Sequence, residues 1–466
     1  METLQRTANR GSISTGYDID NSVKLESNNS EFFQKSNSSA GNRQTWTYST
    51  WIKITETGVN NYFLDAYNNS NTWFILGVAD TGKIVFYDII SGTDYGKQTN
   101  RLLRDTSAWY HVVFVSDTTN GTAGDRYRLY INGVRETSFA TDYGDPPEDY
   151  NGNVNDAIQH NIGRRTDGTT YFNGYLAETI LVDGTALDPD SFGEFDSSGI
   201  WKPIEITDTS FTWGTNGLWL NYSNASSMGA NSAGTGGYSV QNVNHSDQAT
   251  DSPTNNFCTF NPLHTNYGDY IQGASTIKST GNGWSSTIST IAPASGKWYV
   301  EFNFADTGPA GMIGVSPVQS SNNLVTGHYG GTSGDNGVSW YNYDGSIRNN
   351  AVGVATYATW GNSDIVAIAL DLDNHKIYFA KNNTWQNSAN PASGSNGISL
   401  LDTSSYFYIG ASFYYNGPDY IYGNYGGFPG FTISSAATDG SGYGTFEYAP
   451  PSGYYALCTK NLAEYG

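Results

Sequence analysis

Cysteine, methionine, proline, positive charge and long apolar runs are all scarce in this chain. Two cysteines in 466 residues exclude a disulfide scaffold and any cysteine-based zinc site. Cys258 and Cys458 flank the second half of the chain, so a bridge stays open, but two buried thiols are the expectation. Against 43 acidic groups stand only 22 basic ones, a net charge of -21. Such a surface repels phosphate backbones and anionic bilayers, which excludes nucleic-acid binding and polybasic membrane attachment. It also leaves carboxylates free for divalent cations, although a halotolerant or extracellular surface accounts for the same excess. No apolar stretch approaches the length of a membrane span.

What is present suits β-structure. Aromatics make up 15% of the chain, with 35 Tyr and 12 Trp, and Gly, Asn, Ser and Thr fill much of the rest. That mixture predicts many short strands joined by tight turns. The opening Met1–Arg6 lacks the apolar core of a signal peptide, so synthesis in a cytoplasm is the expectation.

Residues 1–21 read as a polar arm carrying Arg6 and Arg10, ordered only against a partner if at all. From 22 to 196 the apolar period is two. Trp46, Tyr48, Ile52 and Ile54 share one face of a strand, with Thr47, Ser49 and Lys53 on the other. The run 109–115 is apolar on both faces, as a central sandwich strand is. Asn132-Gly133 supplies a type I′ hairpin turn after Tyr127–Ile131. Tyr175 to Val182 reads as a further strand closed by Asp183-Gly184, and Asp188-Pro189 predicts a short helix to about Phe195. Residues 197–270 read as an ordered connector, too long for a plain loop. Alternation resumes from 271. Trp298, Val300, Phe302 and Phe304 face one way, and 365–372 turns at Asp373-Asn374 into 377–379, with no helix of ordinary length. The fold class is therefore all-β: two tandem antiparallel β-sandwiches behind an N-terminal arm.

On these residues two resemblances emerge. Residues 22–196 resemble laminin-G-like, concanavalin A-like jelly rolls through 46–54, Trp109–Val113, Leu129–Gly133, Ile162–Arg164 and Phe172–Glu178. Residues 271–466 resemble a SPRY-type sandwich through Gly296–Glu301, Ala369–Asp373 and Gly423–Gly426. The whole is similar to structural proteins of tailed marine and cyanobacterial phages, on Leu4–Gly11, Asp251–Phe257 and Ala456–Leu462. That likeness implies a fibre, fibre-tip or capsid-surface protein on the virion exterior or tail, released by lysis. It implies contacts with other virion proteins, a homo-oligomer (a trimer as the expected order) and docking through the Arg6 and Arg10 arm. Laminin-G-like modules often bind calcium at a rim through loop carboxylates and carbonyls, for which Asp65 and Asp142 are candidates here among many loop acids.

Catalytic patterns are weak. Glycoside hydrolysis needs two carboxylates about 5–9.5 Å apart. The nearest matches are Glu194-Phe195-Asp196, without a third Glu in register, and Asp371 with Asp373, the latter in a turn. There is no Gly-x-Ser-x-Gly elbow, no His-Glu-x-x-His and no EF-hand loop, and His111 reads as a satisfied core histidine. The expectation is a protein that is not an enzyme. Recognition chemistry is richer, since sugar binding takes aromatic faces with Asn, Asp and Gly amides nearby. Trp340, Tyr341 and Tyr343 form one such cluster, and Tyr414, Tyr415, Tyr420 and Tyr422 another around Asn416-Gly417. These are the expected contacts for a host-surface glycan. A purely architectural capsid or fibre component is the alternative.

Overall fold

The structure is a computed structural model that describes residues 16–234, 236–264, 268–280, 283–305, 310–319, 324, 327–331, 333–414 and 419–466. Arg6 and Arg10 lie outside the described residues, as do Tyr415 and the Asn416-Gly417 turn. The chain divides into two compact units, one ending at Thr254 and the other running from Asn255 to Gly466. Both are β-sandwiches, as the alternating patterns require.

In the first unit, Thr45–Ile54 lies between Tyr110–Asp117 and Gly174–Asp183 at the centre of one sheet. Asn61–Asn69 and Thr72–Val78 lie in the middle of the facing sheet. Trp46, Tyr48 and Ile52 point between the sheets against Phe63, Phe74 and Phe114, all with no exposed surface. The doubly apolar run explains what lies behind the first sheet. Val112 and Phe114 join this core, while Val113 and Val115 face outward with Ile180 and Val182. Phe192, Ile206 and Trp219 cover them.

Residues 197–254 therefore belong to the first sandwich. Leu218–Leu220 pairs with Gly174–Asp183, Ser239–Gln241 with Phe32–Ser36, and Gln248–Ala249 with Ser22–Leu25. A fully buried ion pair fixes this return, with Lys53 Nζ 2.6 Å from Asp251 Oδ2. The Trp109 indole N–H donates to Asp251 Oδ1 at 3.0 Å, and Ser22 Oγ donates to the Asp251 carbonyl at 2.6 Å.

Turn chemistry held at Asn132-Gly133, where φ is 48° and 75°, both positive as a type I′ turn demands. It differed elsewhere. Pro189–Ser191 forms only a 3-10 turn after Asp188, because Gly193–Phe195 leaves it to pair with Trp201–Pro203. In the 371–376 hairpin the left-handed residue is His375, at φ 52°, and not Asp373 or Asn374.

In the second unit, Lys297–Ala305 lies between Ile365–Asp371 and Tyr420–Asn424 in a nine-stranded sheet. A six-stranded sheet faces it, in the order Trp284–Ser286, Phe407–Tyr414, Gly311–Pro317, Val338–Tyr341, Ser346–Asn349, Val352–Thr356. Trp298, Val300, Phe302 and Phe304 meet Ile313, Trp340 and Phe413 between the layers. Behind the nine-stranded sheet, Tyr299 packs with Phe446, Tyr454 and Ala456. Glu301, on that same side, accepts the amides of Glu447 and Tyr448 at 2.9 and 2.8 Å, which pins the final segment. That segment ends in a helix, Thr459–Tyr465, where none was expected.

Neither cysteine forms a disulfide, and both are buried. The Cys258 amide donates to the Leu457 carbonyl, and Phe257 stands opposite Cys458. Cys258 then faces the inter-sheet core and Cys458 the layer behind it, so pairing is denied by direction despite the close backbones.

Candidate functional site

Alternation along the six-stranded sheet sorts the expected ligand residues. Trp340 points inward, has no exposed surface and packs on Tyr357, Trp360 and Phe379, with ring centroids 5.8–6.2 Å apart. It offers no face to a ligand, which corrects its place in the sequence-based cluster. Tyr341 and Tyr414, one position on from the inward Trp340 and Phe413, point outward. Tyr343 is 69% exposed and Tyr414 43%.

The sheet brings partners that sequence proximity does not. Trp284 sits directly across from Tyr414, since Trp284–Ser286 pairs with the end of Phe407–Tyr414. Its ring centroid is 5.7 Å from Tyr414, 6.3 Å from Tyr341 and 4.4 Å from His328. Tyr343 extends the row at 6.2 Å from Tyr341, and the Arg348 guanidinium lies 5.4 Å over the Tyr341 ring. The result is one continuous, half-exposed aromatic surface with a cation at one border. Among the described residues the hydroxyls of Tyr341, Tyr343 and Tyr414 make no hydrogen bond. Gly331 permits the close approach of His328, because a Cβ there would run into the imidazole.

Tyr420 and Tyr422 do not join this surface. They stack on each other at 6.1 Å on the outer side of the nine-stranded sheet. Trp284, His328 and Arg348 were missed because they come from three separate strands or loops, and only the pairing unites them.

The acids are occupied elsewhere. Glu194 pairs with Lys202 at 3.1 Å, Asp371 with Lys297 at 3.1 Å, and Asp373 accepts the Gly296 amide at 2.8 Å. Asp65 and Asp88 are fully buried, and burial raises each carboxyl to about 6. They face opposite sides of one sheet: Asp65 accepts from Asn161 at 3.0 Å on the outer side, Asp88 from the Tyr127 hydroxyl at 2.5 Å on the inner. Calcium takes six to eight oxygens. Asp142 is 3.2 Å from Lys97 Nζ and Asp65 sits within a strand, so these two residues do not fit the calcium expectation. Among the described residues no three His, Cys, Asp or Glu side chains gather closely enough to hold a metal ion.

His111 is a core residue as expected. Trp201 Nε1–H donates to Nδ1 at 2.9 Å, which leaves the proton on Nε2, 2.8 Å from Ser49 Oγ. Burial drives its pKa down to about 3.

Residues 25–190 match the Laminin_G_3 model, the Concanavalin A-like lectin/glucanases superfamily. The match ends before the three strands of 197–254 that complete the sandwich. Among solved structures, the SPRY domain of human HERC1 is 16% identical, over 35% of this chain and 96% of that one, with a TM-score of 0.30. Domains LG4-5 of the mouse laminin alpha1 chain are 11% identical over 85% and 84%, with a TM-score of 0.29. The heptameric SAP-like pentraxin from Limulus polyphemus is 17% identical over 37% and 80%, with a TM-score of 0.27. No curated protein matches the sequence.

Proposed function

We propose that this chain is a non-enzymatic recognition protein of a tailed-phage virion, a fibre or surface appendage, and that its second unit binds host-surface saccharide. The observation that carries the reading is the Trp284–Tyr341–Tyr414 surface, three rings with centroid separations of 5.7 and 6.3 Å about Trp284. Flat, half-exposed rings stack on the C–H faces of sugars, and unpaired hydroxyls beside them receive or donate to sugar hydroxyls. Hydrolysis of a glycosidic bond needs two acids facing one groove, whereas Asp65 and Asp88 are divided by the sheet that carries them. The virion assignment is supported by the resemblance of the opening, connector and closing segments to phage structural proteins.

The test presents the full chain to an array of surface polysaccharides and oligosaccharides. Tyr341→Ala and Tyr414→Ala should each weaken binding about tenfold while leaving thermal unfolding unchanged. Absence of binding to any glycan removes the reading.

One observation favours an architectural role in the particle. Val352–Thr356 is the outermost strand of the six-stranded sheet, and Val352 and Val354 are 60% and 51% exposed. An open apolar edge of this kind is a site for pairing with another chain. Loss of self-association in Val354→Lys, measured by sedimentation, would support that second reading.

A further inference from the structure

The aromatic surface has a charged border whose state singles it out. Every other partly buried arginine among the described residues already donates to a partner. Arg43 contacts Asp156 at 3.0 Å, Arg126 Glu148 at 3.4 Å, Arg128 Asp188 at 3.5 Å and Arg165 Asp167 at 3.2 Å. Arg164 donates to the carbonyls of Arg165 and Thr166. Arg348 differs. It is half-buried and lies 5.4 Å over the Tyr341 ring, yet among the described residues its guanidinium has no carboxylate within 4.0 Å and donates no hydrogen bond.

That lack of a contact partner stands out in a chain carrying 43 acidic groups. The acid in its own hairpin, Asp344, feels the Arg348 charge but makes its contact with the Ser346 amide at 2.8 Å, and buried Asp335 accepts the Gly337 amide at 2.9 Å. A guanidinium resting over a ring with no carboxylate in contact keeps its N–H donors available to an anion. Their fork matches the two oxygens of a carboxylate or sulfate. His328 adds a second polar group beyond Trp284: its ring lies 4.4 Å from the indole, and its Nδ1 is 3.3 Å from the Tyr329 carbonyl.

We infer that the saccharide held by this surface is acidic, with its carboxylate or sulfate on Arg348 and its ring on Tyr341 and Trp284. The inference rests on the proposed saccharide reading and narrows it to one ligand class. The overall charge of -21 does not oppose it. Charges farther than about 8 Å are largely screened at physiological salt, while a contact pair beside rings is not.

Isothermal titration of the full chain with alginate hexasaccharide (carboxylate), carrageenan hexasaccharide (sulfate) and laminarihexaose (neutral) tests it. At least one acidic ligand should bind tenfold or more tightly than the neutral one. Arg348→Gln should bring that ligand down to the neutral level, while Tyr414→Ala lowers all ligands together. Carboxylate and sulfate arms that differ identify the anion. Equal affinity for acidic and neutral ligands, or full acidic affinity in Arg348→Gln, overturns the charge inference and leaves saccharide binding standing. No binding in any arm overturns both.

Discussion

Lys53 and Asp251, 198 residues apart, form an ion pair of 2.6 Å with side chains 0% and 1% exposed. The pair joins a central strand to the last stretch of the first unit. Removing one partner of a buried pair strands the other charge, at a cost of about 3–5 kcal/mol. Asp251→Ala should therefore lower the unfolding midpoint of the first unit sharply, and it also orphans the Trp109 indole N–H. Lys53→Met combined with Asp251→Leu should recover much of the loss. Denaturant titration decides, and a neutral Asp251→Ala would contradict the account.

His111 sets an acid limit. Its folded pKa, about 3, lies below the ordinary 6.5, so the unfolded chain binds the proton first as pH falls. Stability from this residue is complete above 6.5 and declines by about 1.4 kcal/mol per pH unit below it, until about pH 3. His111→Asn keeps an acceptor for Trp201 and should flatten melting temperature between pH 6.5 and 4 relative to wild type. Parallel curves for the two proteins would show that the imidazole is not responsible.

Gly133 is coupled to that histidine. Its φ of 75° disfavours any side chain, and a Cβ there would strike the Trp201 indole that donates to His111. Gly133→Ala should cost at least about 1–2 kcal/mol through the left-handed backbone alone, read by chemical denaturation. A variant as stable as the parent would mean that Trp201 moves aside freely.

Deleting 197–254 should expose the outward faces of Val113, Val115, Ile180 and Val182. A first module ending at 196 is then expected to aggregate and to bind a hydrophobic dye, whereas one ending at 254 should elute as a discrete species. Monodisperse behaviour of the shorter fragment would show that the cover is dispensable.

Long strands were readable because burial on one face imposes a period of two: Trp46 to Ile54 and Trp298 to Phe304 are oriented as alternation requires. The three-residue strands Leu218–Leu220 and Ser239–Gln241 are too short to show a period, so their membership of the first sandwich was hidden. Thr459–Tyr465 spans only seven residues, about two turns, and carries no distinct start signal at Cys458. At the site, composition pointed to Tyr341, Tyr343 and Tyr414. The same alternation already turned Trp340 inward, and only strand pairing could supply Trp284, His328 and Arg348.

The opposed directions of Cys258 and Cys458 have a consequence for where the second unit can fold. Burial pushes the Cys458 thiol up to about 12, so the thiolate needed for oxidation or exchange is nearly absent at neutral pH. With the two sulfurs on opposite sides of one backbone layer, no oxidant is needed to complete the sandwich and no reductant can loosen it. Its folding equilibrium is therefore blind to glutathione, and the same set of contacts holds on either side of a redox boundary.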